Sequence, residues 1–280
     1  MAENLSSPPP PSTCFQLSFP RPFVLLITIN RESAMNSIPM RGHWEGHGIF
    51  EWFDKEPSLR VAIVTGKGSR SFSAGADLIE QRNKNVDGGA RKPTVPQTMP
   101  PSGFMGVSRR VGKKPVIAAV NGYALGGGFE ICLNCDLVVA SPSATFGLPE
   151  AKRGLYAAAG GLPRVARIFG MQLASEIVLA DRVLSAAEVQ HFGFARISKS
   201  PESLLDEALD LADRVGTLSP DAVIVSRAGL RQAWETASVE RAAQLTHERF
   251  ADGLFNGENL LIGLQAFAKK EKPVWAPSKL

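Results

Sequence analysis

Four short apolar runs constrain this chain more than any other feature. They are 23–29 (FVLLITI), 61–65 (VAIVT), Val116–Val120 and Leu137–Ala140. They are rich in β-branched residues and show no apolar–polar alternation, so they read as strands buried on both faces. Helix-length stretches such as 38–55 and 128–134 lie between them, which predicts an α/β architecture. Beyond about residue 180 the pattern turns to helices alone. Ser185-Ala-Ala-Glu188 is a capping box. Ser200-Pro201 predicts the start of the next helix, since Pro at the first position loses no needed N–H. Leu204, Leu205, Ala208, Leu211, Ala212 and Val215 mark its apolar face. Further helices are expected near 221–236, 238–252 and 258–270.

The 280 residues suffice for a large core, and a net charge of +4 is too mild to argue for a nucleic-acid binder. No run approaches the roughly 18 apolar residues of a membrane span. The three cysteines do not form a disulfide framework, and Cys132 and Cys135, one helical turn apart, are expected to pack in the interior. Residues 1–15 hold four consecutive prolines and little that is apolar, which predicts a disordered tail. Residues 82–103 read as a long surface loop. The stretch from Arg82 to Lys114 carries eight basic residues against one acid, Asp87, and is expected to be a solvated or polyphosphate-facing basic ribbon. The sequence ends Ser278-Lys279-Leu280, a peroxisomal address read by the import receptor at a free C-terminus. Peroxisomal localisation is the expectation.

Two glycine-rich places follow strands. Ser73-Ala-Gly-Ala-Asp77 leaves the backbone uncovered, and Asp77 is placed to cap a helix. Asn121-Gly-Tyr-Ala-Leu-Gly-Gly-Gly-Phe-Glu130 puts three glycines at the head of a short apolar helix, where free N–H groups and the helix dipole favour negative charge. Two such loops suggest an oxyanion hole. Glu130 and Glu150 accompany them, and paired carboxylates beside such a hole permit general acid–base work. No dinucleotide fingerprint, phosphate-binding P-loop or nucleophile elbow is present. His43 and His47 have metal-like spacing but no evident third ligand.

Three segments resemble the enoyl-CoA hydratase/isomerase, or crotonase, superfamily: RVAIVTGKGSRSFSAGADL (60–78), KPVIAAVNGYALGGGFEICLNCDLVVAS (114–141) and ATFGLPEAKRGLYAAAGGLPRVARIFG (144–170). The resemblance extends from about residue 17 to 275. It implies an α/β, crotonase-like spiral of ββα units over 16–200 and a helical C-terminal region over 201–277, ahead of the terminal tripeptide at 278–280. It also implies a homotrimer or dimer of trimers, an acyl-CoA thioester substrate and no cofactor beyond the coenzyme A of that substrate. By motif position, the N–H groups of Ala76 and Gly127 hold the thioester oxygen while Glu130 and Glu150 act as acid and base. Ser33, Ala34, Ala74, Asp77, Leu78 and Lys270 fall at substrate-binding positions. Ser33 and Ile79 replace basic residues common in the family, so phosphate contacts are expected from Lys270 or the basic loop. The double glutamate favours hydration of a trans-2-enoyl-CoA. The alternatives are an enoyl-CoA isomerase, a specialised dehydratase of the carnitinyl-CoA type, and a non-catalytic RNA-binding or assembly protein.

Overall fold

The computed structural model describes residues 5–86, 96 and 98–280. Its strands form two sheets. The larger has the order β1 (Phe15–Ser18), β2 (Val24–Ile29), β3 (Val61–Gly66), β5 (Val116–Val120), β7 (Leu137–Ala140), β10 (Arg196–Ile197). The smaller has the order β4 (Ser71–Ser73), β6 (Tyr123–Leu125), β8 (Thr145–Gly147), β9 (Leu184–Ser185). Every pairing is parallel except those of β1 with β2 and β8 with β9. In three successive units the first strand enters the large sheet and the second the small one: β3–β4, β5–β6 and β7–β8. The first two close with α2 (Leu78–Val86) and α3 (Gly127–Asn134). This is the expected spiral of ββα units.

Both faces of the large sheet are covered, which is why its strands show no alternation. Leu25, Ile27, Ala62, Val64, Ala118 and Val120 join the main core with α1 (Met40–Lys55). Their neighbours Val24, Leu26, Val61, Ile63, Ile117 and Ala119 face α7 (Leu204–Gly216) through Leu204, Ala208 and Ala212. Burying each Leu, Ile or Val side chain contributes roughly 1.5–3 kcal/mol. The remaining helices are α4 (Gly161–Phe169), α5 (Met171–Leu179), α6 (Ala186–His191), α8 (Pro220–Glu235), α9 (Val239–Phe255) and α10 (Glu258–Lys269).

Several local expectations need correction. The proline-rich segment is ordered from residue 5: Ser6 N–H and Oγ donate to Glu56 Oε2 at 2.9 and 2.7 Å, and Ser12 Oγ donates to Glu45 at 2.7 Å. Prolines offer no donors, so the residues flanking them supply the contacts: the serines reach carboxylates on α1 and at its end, Trp52 Nε1 donates to Ser7 Oγ at 3.0 Å, and Leu5 packs on the core. The basic stretch is not a solvated ribbon throughout. Arg110 is buried and paired with Asp54, and the buried Lys114 Nζ donates to the carbonyls of Phe53 and Glu56 at 2.7 and 2.5 Å. Residues 82–86 continue α2, and most of the expected loop, 87–95 and 97, lies outside the described residues. The region beyond 180 is not helix alone, because β9 and β10 add two-residue edges to the two sheets. Helix α7 starts at Leu204 rather than at Pro201, after a turn in which Ser200 and Ser203 each donate a backbone N–H to the other's hydroxyl. The Ser185–Glu188 capping box is present at the head of α6.

Candidate active site

Strand β4 delivers the chain to residues 74–77, where Ile38 pairs with Ala76 as an isolated parallel bridge. Ile38 N–H donates to Gly75 O at 2.8 Å and Asp77 N–H donates to Ile38 O at 3.1 Å. Extended backbone alternates its polar groups, so this bridge turns the Ala76 N–H to the opposite side, that of a cavity which Ala76 lines. Strand β6 runs beside β4 and ends at Leu125, immediately before Gly126, the N-cap of α3. Gly127, the first helical residue, has an N–H with no intrahelical acceptor. A side-chain carbon on Gly75 (φ +90°) would lie 3.2 Å from Gly127 N. Glycine is required for the two loops to approach this closely, and the approach brings both N–H groups to one cavity of about 380 Å³.

Glu130 lies in the first turn of α3 and is almost wholly buried, at 3% exposure. Its Oε1 accepts the Gly161 N–H at 2.8 Å. Burial pushes its carboxyl up to about 7, a rise opposed by the Gly161 N–H and reinforced by the charge of Glu150. Glu150 sits in a 3-10 turn, Pro149–Arg153, immediately after β8. Burial raises its carboxyl too, and Asp181 adds to the rise. Its Oε2 is buried without a hydrogen-bond partner among the described residues. The arrangement therefore sets two carboxyls that burial raises, Glu130 to about 7, beside the backbone N–H groups of Ala76 and Gly127 at one cavity.

Ala74, Ala76, Leu78, Gly127, Glu130 and Glu150 line this single cavity, as the sequence motifs predict. Four other candidates do not. Asp77 is occupied elsewhere: it accepts Arg31 Nη2 at 2.9 Å and the Glu80 N–H at 3.1 Å, fixing the start of α2. Ser33 and Ala34 form a short 3-10 turn outside the lining, with Ser33 exposed. Lys270 is the left-handed C-cap of α10 and lies outside it as well. The sequence reading missed Gln81, Phe104 and Arg153, which contribute to the walls. Phe104 is the most consequential, because a side chain on Gly127 would begin 2.5 Å from its ring. The only signal for it is the Gly103-Phe-Met-Gly106 sequence, whose glycines both have positive φ.

His43 packs against Phe104 with ring centroids 4.4 Å apart and accepts the Met105 N–H at 3.2 Å, while His47 bonds Ser102. Among the described residues no three His, Cys, Asp or Glu side chains gather as a metal site.

A sequence profile described as enoyl-CoA hydratase/isomerase matches residues 22–278. The mevalonyl-coenzyme A hydratase of Aspergillus fumigatus is 46% identical over 94% of this chain and 95% of its own length. The carnitinyl-CoA dehydratase of Escherichia coli strain K12 is 36% identical over 90% and 94%. The crystal structure of an enoyl-CoA hydratase from Mycobacterium tuberculosis superposes with a TM-score of 0.83 at 30% identity, covering 95% of this chain and 99% of that one. With the two-loop site and the spiral of ββα units, these similarities lead to one assignment: the chain belongs to the enoyl-CoA hydratase/isomerase family.

Proposed function

We propose that the protein interconverts a 3-hydroxyacyl-CoA and the corresponding 2-enoyl-CoA by loss or addition of water. The observation that carries this reading is the presence of both Glu130 and Glu150 at the cavity where the Ala76 and Gly127 loops meet. In the hydration direction the two N–H groups polarise the thioester carbonyl. Glu130 assists the attack of water on C3, and Glu150 supplies the proton to C2. Dehydration reverses each transfer, so Glu150 takes the C2 proton and Glu130 protonates the departing hydroxyl. A carboxyl near pH 7 suits both directions.

The acyl group we favour is mevalonyl, a branched 3-hydroxy acid with a second, distal hydroxyl. Support comes from the relatives of Aspergillus fumigatus and of Beauveria bassiana, both named mevalonyl-coenzyme A hydratase, the latter 44% identical over 97% of this chain. The cavity wall is apolar at Leu78, Leu155 and Met99 and offers polar groups at Gln81, Arg153 and Tyr156, a mixture compatible with a hydroxylated acyl chain. The test is turnover of mevalonyl-CoA beside carnitinyl-CoA and crotonyl-CoA. A clear kcat/KM preference for mevalonyl-CoA supports the assignment, and a preference for crotonyl-CoA replaces it with an ordinary enoyl-CoA hydratase.

Peroxisomal delivery is part of the same proposal. In the folded chain Ser278 Oγ bonds the buried Asp221, and Leu280 O accepts Lys113 Nζ at 2.6 Å. The tripeptide must therefore leave this seat to enter a receptor. Imaging an N-terminally tagged protein with and without residues 278–280 tests the address.

A further inference from the structure

The peptide unit between Gly160 and Gly161 is held on both edges. Its N–H donates to Glu130 Oε1 at 2.8 Å. Its carbonyl, on the opposite edge, accepts Arg164 Nη1 at 2.8 Å. The same guanidinium donates through Nε to Asn134 Oδ1 at 3.0 Å. Asn134 is one turn beyond Glu130 on α3, so the ring closes through the helix itself: Glu130, the Gly160–Gly161 peptide, Arg164, Asn134. Asn134 is anchored in turn. Its Nδ2 donates to Val107 O at 2.6 Å and Arg110 O at 3.0 Å, and its Oδ1 also accepts Arg231 Nη1 at 3.1 Å.

We infer that Arg164 is a positioning residue for Glu130, acting through the Gly160–Gly161 peptide. This inference rests on the proposed acid–base role of Glu130. A peptide flanked by two glycines turns over with little steric resistance, and a flip would present a carbonyl oxygen to the Glu130 carboxylate in place of the N–H. The guanidinium fixes the peptide in the donating orientation. It also polarises the peptide, since hydrogen bonds in series strengthen one another. A cation behind the donor thus favours the ionised carboxylate, against burial and the charge of Glu150. The charged groups around Glu130 are Glu150 from the 149–153 turn and Arg164 from α4. Arg164 is faced in turn by Arg231 and Glu235 of α8 and by Arg109. A side chain on Gly161 would begin 2.8 Å from Glu130 Cγ, so the contact with the peptide is direct.

The test is a titration of the Glu130 carboxyl by NMR of protein carrying carbon-13 at the glutamate carboxyls. The resonance is assigned by its loss in Glu130→Gln and followed in the wild type, Arg164→Gln and Arg164→Lys. Kinetic pH profiles of the same proteins accompany it. Arg164→Gln is expected to raise the Glu130 midpoint by about one unit. It should move the acid limb of the profile the same way and lower kcat on the order of tenfold with little change in KM. Arg164→Lys, which keeps a cation near Gly160 O but cannot also hold Asn134 in the same fork, is expected between the two. An unchanged Glu130 midpoint in folded Arg164→Gln overturns the inference. If that variant does not fold, Arg164→Lys decides: an intermediate upward shift supports the relay and no shift overturns it. A shifted midpoint in an enzyme whose turnover survives Glu130→Gln supports the relay and overturns only the proposed role of Glu130.

Discussion

A side-chain carbon on Gly126 would begin 3.2 Å from Oε1 of Glu150. Gly126 also has φ +55°, so Ala there meets backbone strain as well as a neighbouring carboxyl. The Glu150 side chain is the movable partner. Gly126→Ala is expected to displace it and lower kcat on the order of 100-fold, since catalytic geometry tolerates little misplacement. Stability should fall by only about 1–3 kcal/mol. Steady-state turnover set beside a urea unfolding curve checks both halves of this expectation.

Glu130 links pH to stability with a defined sign. Its folded carboxyl is raised from 4.5 to about 7, so between those values the folded protein holds a proton that the unfolded chain has released. Stability from this group is present below pH 4.5 and is lost as pH rises through about 7. Glu130→Gln removes that loss while its amide oxygen still accepts the Gly161 N–H. The variant is expected to be more stable than the wild type at pH 8, by on the order of 3 kcal/mol, and nearly equal at pH 4. Urea melts at the two pH values measure this directly. Equal differences at both would remove the buried-acid description of Glu130.

Much of this was legible in the sequence because the chemistry demands small residues beside strands. Gly75, Gly126 and Gly127 mark the two loops, and the runs ending at Val120 and Ala140 mark strands covered twice. Glu130 stands in the first turn after the second loop and Glu150 in the turn after β8, and their pairing was legible through the family resemblance. What the sequence could not show was partnership across distance. Asp77 caps α2 as its position predicts, but Arg31, 46 residues away, holds its other oxygen, and nothing local announces that partner. The prolines of residues 8–11 conceal an anchored segment because the anchors, Glu45 and Glu56, belong to another element. Phe104 enters the cavity from a segment with no apolar period. Lys114 reads as a solvent cation, yet its ammonium satisfies two backbone carbonyls in the interior.

Asp136 is the anion that joins α8 to the core. Arg227 Nε lies 2.9 Å from both of its carboxylate oxygens, and Arg231 reaches it at 3.0 Å. Burial pulls Arg227 down to about 10, so it stays charged at neutral pH and needs this partner. Asp136→Asn leaves two cations facing each other and is expected to cost roughly 3–5 kcal/mol. Hydrogen exchange should then show loss of protection in α8 before the large sheet. Unchanged unfolding free energy would contradict this account of the C-terminal region.

Glu56 anchors the N-terminal segment and is held down to about 2; burial opposes the shift, and hydrogen bonds from Ser6 and Ser58 overcome it. A lowered carboxyl stabilises above its unfolded value of 4.5 and loses that contribution as pH falls toward 2. Glu56→Ala should therefore expose residues 5–7 to exchange and proteolysis at pH 7, with residues 12–14 still held by Glu45, while turnover is maintained. Protection equal to the wild type would show that the segment is held by other contacts.

The central claim is that two glutamates at the Ala76–Gly127 cavity add and remove water. It is tested most directly by following the conjugated-enoyl thioester absorbance of a turning-over acyl-CoA with wild type, Glu130→Gln and Glu150→Gln at matched folded concentration. The account predicts a loss on the order of 100-fold or more in kcat for each variant, with substrate still bound. Turnover within a few fold of wild type in either variant would contradict it.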